Sequence, residues 1–164
     1  MKIILVIDMQ KGFINKNNEH LVNDINKFLK QKSFDKVIFT KYKNKENSPF
    51  VKFLNWNALT DEESQRFVVD GEAEMIEKYS YGLPFEEICK FKEKDIEEIY
   101  LCGTDLDACV LNIAFNLFDN NIKPIFIKEL CATSSRDENM ADYAWHIIER
   151  NFGRNCIKSK DDIN

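Results

Sequence analysis

The sequence predicts an α/β fold built on a mainly parallel sheet of about six strands, and three observations carry that expectation. Short apolar runs alternate with segments of helical period along the whole chain, the pattern of units that lay helices over a parallel sheet. The first of those runs, IILVI at Ile3–Ile7, is continuous rather than alternating, which suits a central strand covered on both faces. The 164 residues, 44% of them hydrophobic with only 5 Gly and 3 Pro, suffice for one domain over residues 1–164 with a sizeable core.

The first strand ends at Asp8. A helix follows in which Leu21, Ile25, Phe28 and Leu29 recur at helical spacing, with Asn17 or Asn18 as its cap. KVIFT at residues 36–40 is the second strand. From residue 42 to about residue 68 the periodicity fades, while Phe50, Phe53, Leu54 and Trp56 cluster and residues 60–63 have the T-x-x-E form of a capping box. This predicts a long excursion with one short helix. Excursions of that length inside a compact domain are usually functional; the other reading is that the aromatics only pin the loop to the body.

A third strand covers Glu74–Lys78, and Pro84 then opens a helix whose buried stripe is Phe85, Ile88, Cys89 and Phe91. EIYLC at residues 98–102 is the fourth strand. The turn GTDLD leads from it into a helix over residues 108–120, apolar enough to be deeply packed and ended by Asn121 in the left-handed conformation. A fifth strand at residues 124–127, a helix capped by Ser135 with Glu138, and a short sixth strand around Cys156 complete the sheet. No internal repeat or low-complexity tract is present.

Acidic residues outnumber basic ones by 28 to 23, a net charge of −5, with no long basic run. Nucleic acid and anionic membranes therefore find no electrostatic footprint. No apolar run exceeds a core strand in length, and the N-terminal MKIILVIDMQ meets an aspartate too early for a signal peptide. The expectation is a cytoplasmic protein without a membrane partner. Five cysteines (Cys89, Cys102, Cys109, Cys131, Cys156) lack CxxC or CxxH spacing and suit a reducing cytosol better than a disulfide scaffold.

In open parallel sheets, ligands bind beyond the carboxyl ends of the strands. Asp8, Lys78 and Cys109 stand at such ends. Cys109 falls in the first turn of its predicted helix, where unsatisfied amides and the positive end of the helix dipole favour a thiolate. A neighbouring carboxylate can take the thiol proton and return it to a leaving group, and a lysine can steady both charges. The plain alternatives are a packed cysteine, an aspartate capping its own turn and a solvated lysine; their joint placement at three strand ends is the stronger signal.

Three segments then carry a resemblance. LVIDMQKGF at residues 5–13, IEKYSYGLPF at residues 76–85 and LCGTDLDACVLNIAFNLFDNNIKPIFIKELCATS at residues 101–134 resemble the signature blocks of the isochorismatase-like cysteine hydrolases, in order and separation, over essentially the whole chain. Residues 44–56, with SPF and a later Leu-x-Trp, resemble a subgroup of small hydrolases of that family. The resemblance implies a three-layer α/β/α sandwich, with Cys109 as nucleophile, Asp8 as general acid/base and Lys78 as its cationic partner. It also implies a cis peptide between Thr104 and Asp105 that aims the amides of Asp105 and Cys109 at a developing oxyanion. The implied reaction is attack on a small carboxamide, release of ammonia and hydrolysis of a thioester. Vinyl-ether hydrolysis of the isochorismate type is the runner-up, and a non-catalytic binding module on the same fold is the rival from another class. Members of the family are commonly homo-oligomers, so the same is expected here.

Leu106 stands where the family commonly carries Thr. Its nicotinamidases bind a metal through an Asp and two His after the second strand, whereas TKYKNKENSPF here has no histidine and His20 and His146 fall in predicted helices. No metal or other cofactor is therefore expected. Receiver-domain and haloacid-dehalogenase readings fail at Lys78 and Gln10, where each needs an acid, and a papain-like pair would have to use His146 in mid-helix. The pocket is expected to take its walls from Phe13, Phe50, Phe53, Trp56, Tyr79 and Tyr81. The Asp105 carboxylate either faces the cavity, selecting a polar or cationic group, or bonds back to its own turn.

Overall fold

The computed structural model describes residues 1–163. Its strands are β1 (Ile3–Ile7), β2 (Lys36–Tyr42), β3 (Glu74–Lys78), β4 (Glu98–Gly103), β5 (Lys123–Cys131) and β6 (Ile157–Lys158). Its α-helices are α1 (His20–Gln31), α2 (Pro49–Leu54), α3 (Glu62–Gln65), α4 (Phe85–Glu93), α5 (Leu111–Phe118) and α6 (Met140–Phe152). The strands form one six-stranded sheet in the order β3-β2-β1-β4-β5-β6, and every neighbouring pair is parallel.

Side chains of a strand point alternately to the two faces of a sheet, and β1 shows what each face meets. Ile3, Leu5 and Ile7 share a core with Ile88 and Phe91 of α4, Ile113 and Leu117 of α5, and Ile148 and Phe152 of α6. Ile4 and Val6 turn the other way, onto Leu21, Ile25 and Phe28 of α1, with Val69 and Ile163. The sheet thus lies between two helical layers, and the unbroken apolar run of β1 follows from its burial on both sides.

Several element ends differ from the sequence reading, each for a local reason. β2 continues to Tyr42, which is buried and sits opposite Lys78 in the ladder. β5 runs past Lys128 and Glu129 to Cys131, because the backbone pairing resumes after a register shift and joins Cys131 to Gly103. Neither Asn17 nor Asn18 caps α1, whose first-turn amides receive no side chain. Asn18 is buried and employed elsewhere: it accepts from the Asn15 amide at 2.8 Å and donates to Phe13 O at 2.9 Å and Thr104 Oγ1 at 3.0 Å.

The excursion holds two short helices instead of one. Ser48 caps α2 and Asp61, one residue beyond Thr60, caps α3 by accepting from the Ser64 amide at 2.9 Å. Ser135 does not cap α6, since its hydroxyl accepts from the Asp137 amide at 3.1 Å in a turn ahead of the helix. On α4 the buried stripe is Ile88 and Phe91, while Phe85 at the first turn is 68% exposed. The predicted helix over residues 108–120 begins as one π-helical turn, Leu106–Val110, before continuing as α5. Asn121 takes the left-handed conformation, with φ 62°. Among the described residues no helix is long and apolar enough to cross a membrane.

Candidate active site

The sheet changes direction of winding between β1 and β4, which leaves a crevice at their carboxyl ends. Asp8 follows β1 directly and has φ 50°, a left-handed conformation that short polar residues tolerate and that turns the chain sharply at the strand end. Beside it, β4 ends at Gly103 with φ 118°, where a Cβ would stand 2.2 Å from Ile7 O; only glycine lets the two strands approach this closely. The Thr104 amide donates to Ile7 O at 3.0 Å, and the Thr104–Asp105 peptide is cis.

Asp8, Lys78 and Cys109 meet in this crevice. Lys78 and Asp8 are both 0% exposed, and Lys78 Nζ lies 2.8 Å from Asp8 Oδ2 and 3.3 Å from Cys109 Sγ. The ammonium also donates to Ser80 O at 2.9 Å and Tyr81 O at 3.3 Å. On the other carboxylate oxygen, Asp8 Oδ1 accepts from Thr40 Oγ1 at 2.6 Å. Asp8 Oδ2 faces the Lys78 ammonium, and the Cys109 thiol also lies within hydrogen-bonding reach of the Asp8 carboxylate. That oxygen is free to accept a proton.

Electrostatics correct one sequence expectation. Burial pushes the Cys109 thiol well above its usual range and the charge of Asp8 pushes it further; Lys78 opposes both without overcoming them. A dipole at a helix start is worth at most about 2 kcal/mol, less than the desolvation of a nearly enclosed sulfur. The thiol form of Cys109 is therefore favoured over the thiolate. Burial alone would lower Lys78, but attraction to Asp8 and Cys109 raises it overall.

Over Cys109 opens a cavity of about 380 Å³. One wall is aromatic, formed by Phe13, Tyr42, Phe50, Trp56 and Tyr81. Phe13 and Trp56 stack at 5.9 Å with planes 18° apart, and Phe50 meets Tyr81 edge-on at 4.8 Å. The other wall is polar, with Asn15, Asp105 and Ser134. Asp105 is among the lining residues, and its carboxylate bonds back to its own turn through Thr104 Oγ1 at 2.6 Å.

Tyr79 and Phe53 are not part of this cavity. Lys78 points inward at the end of β3, so Tyr79 next to it points out, where its hydroxyl donates to Glu77 at 3.2 Å and Lys45 Nζ lies 3.5 Å above its ring. Helix α2 turns Phe50 and Leu54 toward the cavity and leaves Phe53 80% exposed. Both lie instead beside a shallow surface depression.

Sequence reasoning missed Thr40, Tyr42, Asn15 and Ser134. Thr40 stands opposite Ile7 in the ladder, so the strand-end rule that singled out Asp8 also points to it. Ser134 follows β5 closely, a position hidden while that strand was read as ending at residue 127. His20 and His146 do not line the cavity. The segment after β2 is tied down by Asn44, which donates to Trp56 O and Ala58 O, both at 3.0 Å, and accepts from Ser48 Oγ at 2.6 Å. Among the described residues no group of three or more His, Cys, Asp or Glu side chains is placed to hold a metal ion.

Residues 2–156 match the family model of the isochorismatase domain. The chain belongs to the isochorismatase family. Solved structures with the isochorismatase-like fold are similar to it over nearly their full lengths. An isochorismatase-like hydrolase from Alkaliphilus metalliredigens is 18% identical, with a TM-score of 0.81 over 98% of this chain and 96% of that one. An N-carbamoylsarcosine amidase from Thermoplasma acidophilum is 19% identical, with a TM-score of 0.79 over 100% and 99%. A pyrazinamidase of Pyrococcus horikoshii, in complex with zinc, is 15% identical, with a TM-score of 0.78 over 96% and 97%. No curated protein matches the chain. Family and neighbours together place the chain on the isochorismatase-like fold.

Proposed function

We propose that this chain is a cysteine amidohydrolase that cleaves a small carboxamide through a thioester on Cys109. The observation that carries the reading is the position of Lys78 Nζ, 2.8 Å from Asp8 and 3.3 Å from Cys109, beneath a cavity to which Cys109 contributes. As sulfur attacks the carbonyl carbon, Asp8 takes the thiol proton, and Lys78 balances the charge that appears on sulfur. The amides of Asp105 and Cys109 receive the oxyanion; those of Thr104, Leu106, Ala108 and Val110 around them are engaged by protein carbonyls. Collapse breaks the C–N bond, and Asp8 returns its proton to the departing nitrogen as ammonia. Water then attacks the thioester while giving a proton to Asp8, and Asp8 passes it back to the sulfur as the acid leaves.

The cavity favours an amide over a vinyl ether of the isochorismate type. That substrate carries two carboxylates, whereas among the described residues no Lys or Arg side chain lines the cavity and Asp105 does. A binding module is disfavoured because a fully buried ion pair costs stability that binding alone does not require. All five cysteines are free, which supports a reducing, cytoplasmic setting.

The test is ammonia release from a panel of small carboxamides, with the acyl-enzyme trapped by acid quench and located by peptide mass spectrometry. Release that depends on Cys109, with the acyl group on that residue, supports the reading. Absence of turnover across the panel together with a stoichiometric macromolecular complex would move the chain to the binding class.

A further inference from the structure

Asp105 lines the cavity over Cys109, and its carboxylate has no counter-charge. Its oxygens are gripped by neutral donors alone: Thr104 Oγ1 and the Ser134 amide at 2.6 Å to Oδ1, and Ser134 Oγ at 2.7 Å to Oδ2. Among the described residues no ion pair reaches it. Burial raises its pKa despite those three donors, the mark of a carboxylate short of positive charge.

The rest of the polar wall is acceptor-rich. The single proton of the Ser134 hydroxyl is spent on Asp105, so that oxygen offers the cavity only lone pairs. Asn15 Oδ1 takes the Asn17 amide and its Nδ2 donates to Ser134 O. The same cavity is lined by the rings of Phe13, Phe50 and Trp56, and aromatic rings attract cations and have no preference for anions. Acceptors and an unpaired negative charge in one cavity with aromatic rings point to a site for a positively charged nitrogen.

Resting on the amidohydrolase reading, we propose that the substrate carries its carboxamide on a cationic nitrogen group, of the ammonium or guanidinium class, and that Asp105 is the residue that selects it. Substrates bearing a carboxylate are rejected by the same charge. The aromatic wall supplies area and the Asp105 charge supplies sign, so loss of the carboxylate leaves a site that still accepts neutral amides.

The selection can be read without a substrate, from the charge dependence of modification at Cys109. Three methanethiosulfonates of similar reactivity serve as probes: trimethylammonioethyl (cationic), methyl (neutral) and sulfonatoethyl (anionic). In each case the thiolate attacks the sulfenyl sulfur, a mixed disulfide forms and methanesulfinate leaves. Rates at Cys109 are followed by peptide mass spectrometry at pH 9 and divided by the rates at N-acetylcysteine. The expected cation-to-anion ratio is at least about tenfold in wild type and falls to near unity in Asp105→Asn, as the removal of one charge a few ångströms away requires. Ser134→Ala, which releases Oδ2 but leaves the charge, keeps the ratio. A ratio near unity in wild type, or one that Asp105→Asn leaves unchanged, overturns the inference while the neutral probe still reports a working nucleophile. If Asp105→Asn does not fold, the wild-type ratio decides alone. A Cys109 inert to all three probes removes the nucleophile, and the amidohydrolase reading falls together with the selection built on it.

Discussion

The Thr40 hydroxyl holds Asp8 at both ends: it accepts from the Asp8 amide at 3.1 Å and donates to the Asp8 carboxylate at 2.6 Å. One side chain on the neighbouring strand therefore fixes the backbone and the carboxylate of the proposed general base together, and directs the remaining oxygen toward Lys78. Thr40→Val keeps the shape and removes both bonds. The expected result is a fall in kcat of about 10- to 100-fold, in the range that a misplaced catalytic group produces, with KM little changed and activity largely restored in Thr40→Ser. Loss that appears in KM alone would contradict this positioning role.

Asp8→Asn separates proton transfer from charge. The carboxylate is the second cause, after burial, of the raised Cys109 thiol, so its neutralisation lowers that pKa and increases the thiolate fraction at pH 8. Alkylation of Cys109 by iodoacetamide then becomes faster than in wild type. Turnover falls by at least about 100-fold over the same change, because no base remains to carry the proton to nitrogen. Parallel loss of both rates would show that Asp8 acts only by holding the site together.

Lys78→Met leaves Asp8 buried with no partner charge. Breaking a buried ion pair from one side costs about 3–5 kcal/mol, and chemical denaturation should show a loss of that size. Addition of Asp8→Asn to Lys78→Met recovers part of it, since the stranded charge is gone. A double variant no more stable than Lys78→Met would place the loss in packing instead of charge.

Alkaline pH should weaken the fold. Cys102, Cys109 and Cys131 are all raised by burial, Cys131 to about 12, while thiols of the unfolded chain ionise near pH 8.5. Above that value the unfolded state releases protons that the folded state retains. Stability is then full below the unfolded pKa and declines as pH rises toward the folded one, by about 1.4 kcal/mol per pH unit for each thiol. Lys78, also raised, acts in the same direction at still higher pH. A Tm that falls steeply between pH 9 and 11, and less steeply in Cys131→Ala, is the expected outcome; a flat profile would falsify the assignment.

What the sequence made legible was whatever depends on pattern alone. IILVI has the length of its strand because the apolar stretch and the backbone pairing end together. Lys128 and Glu129 hid the end of β5, since the pairing with β4 passes over them at a register shift and resumes at Cys131. Asn18 and Ser135 were read as caps because of where they stand, but their oxygens are taken by nearer partners. Asp8, Lys78 and Cys109 were found through their strand ends. The protonation of Cys109 was not, because it depends on how much protein encloses the sulfur, which no local spacing encodes.

Much of the aromatic wall is separable from the proton path. Phe50 and Trp56 sit on the excursion between β2 and β3, closed at its base by Asn44 on the carbonyls of Trp56 and Ala58, while Asp8 and Lys78 stand on the sheet that the excursion leaves and rejoins. Residues 45–57 can thus be exchanged as a cassette, with Asn44 and Ala58 as the joints. Rewriting this one stretch of chain changes the walls of the cavity and leaves Asp8 and Lys78 where they are.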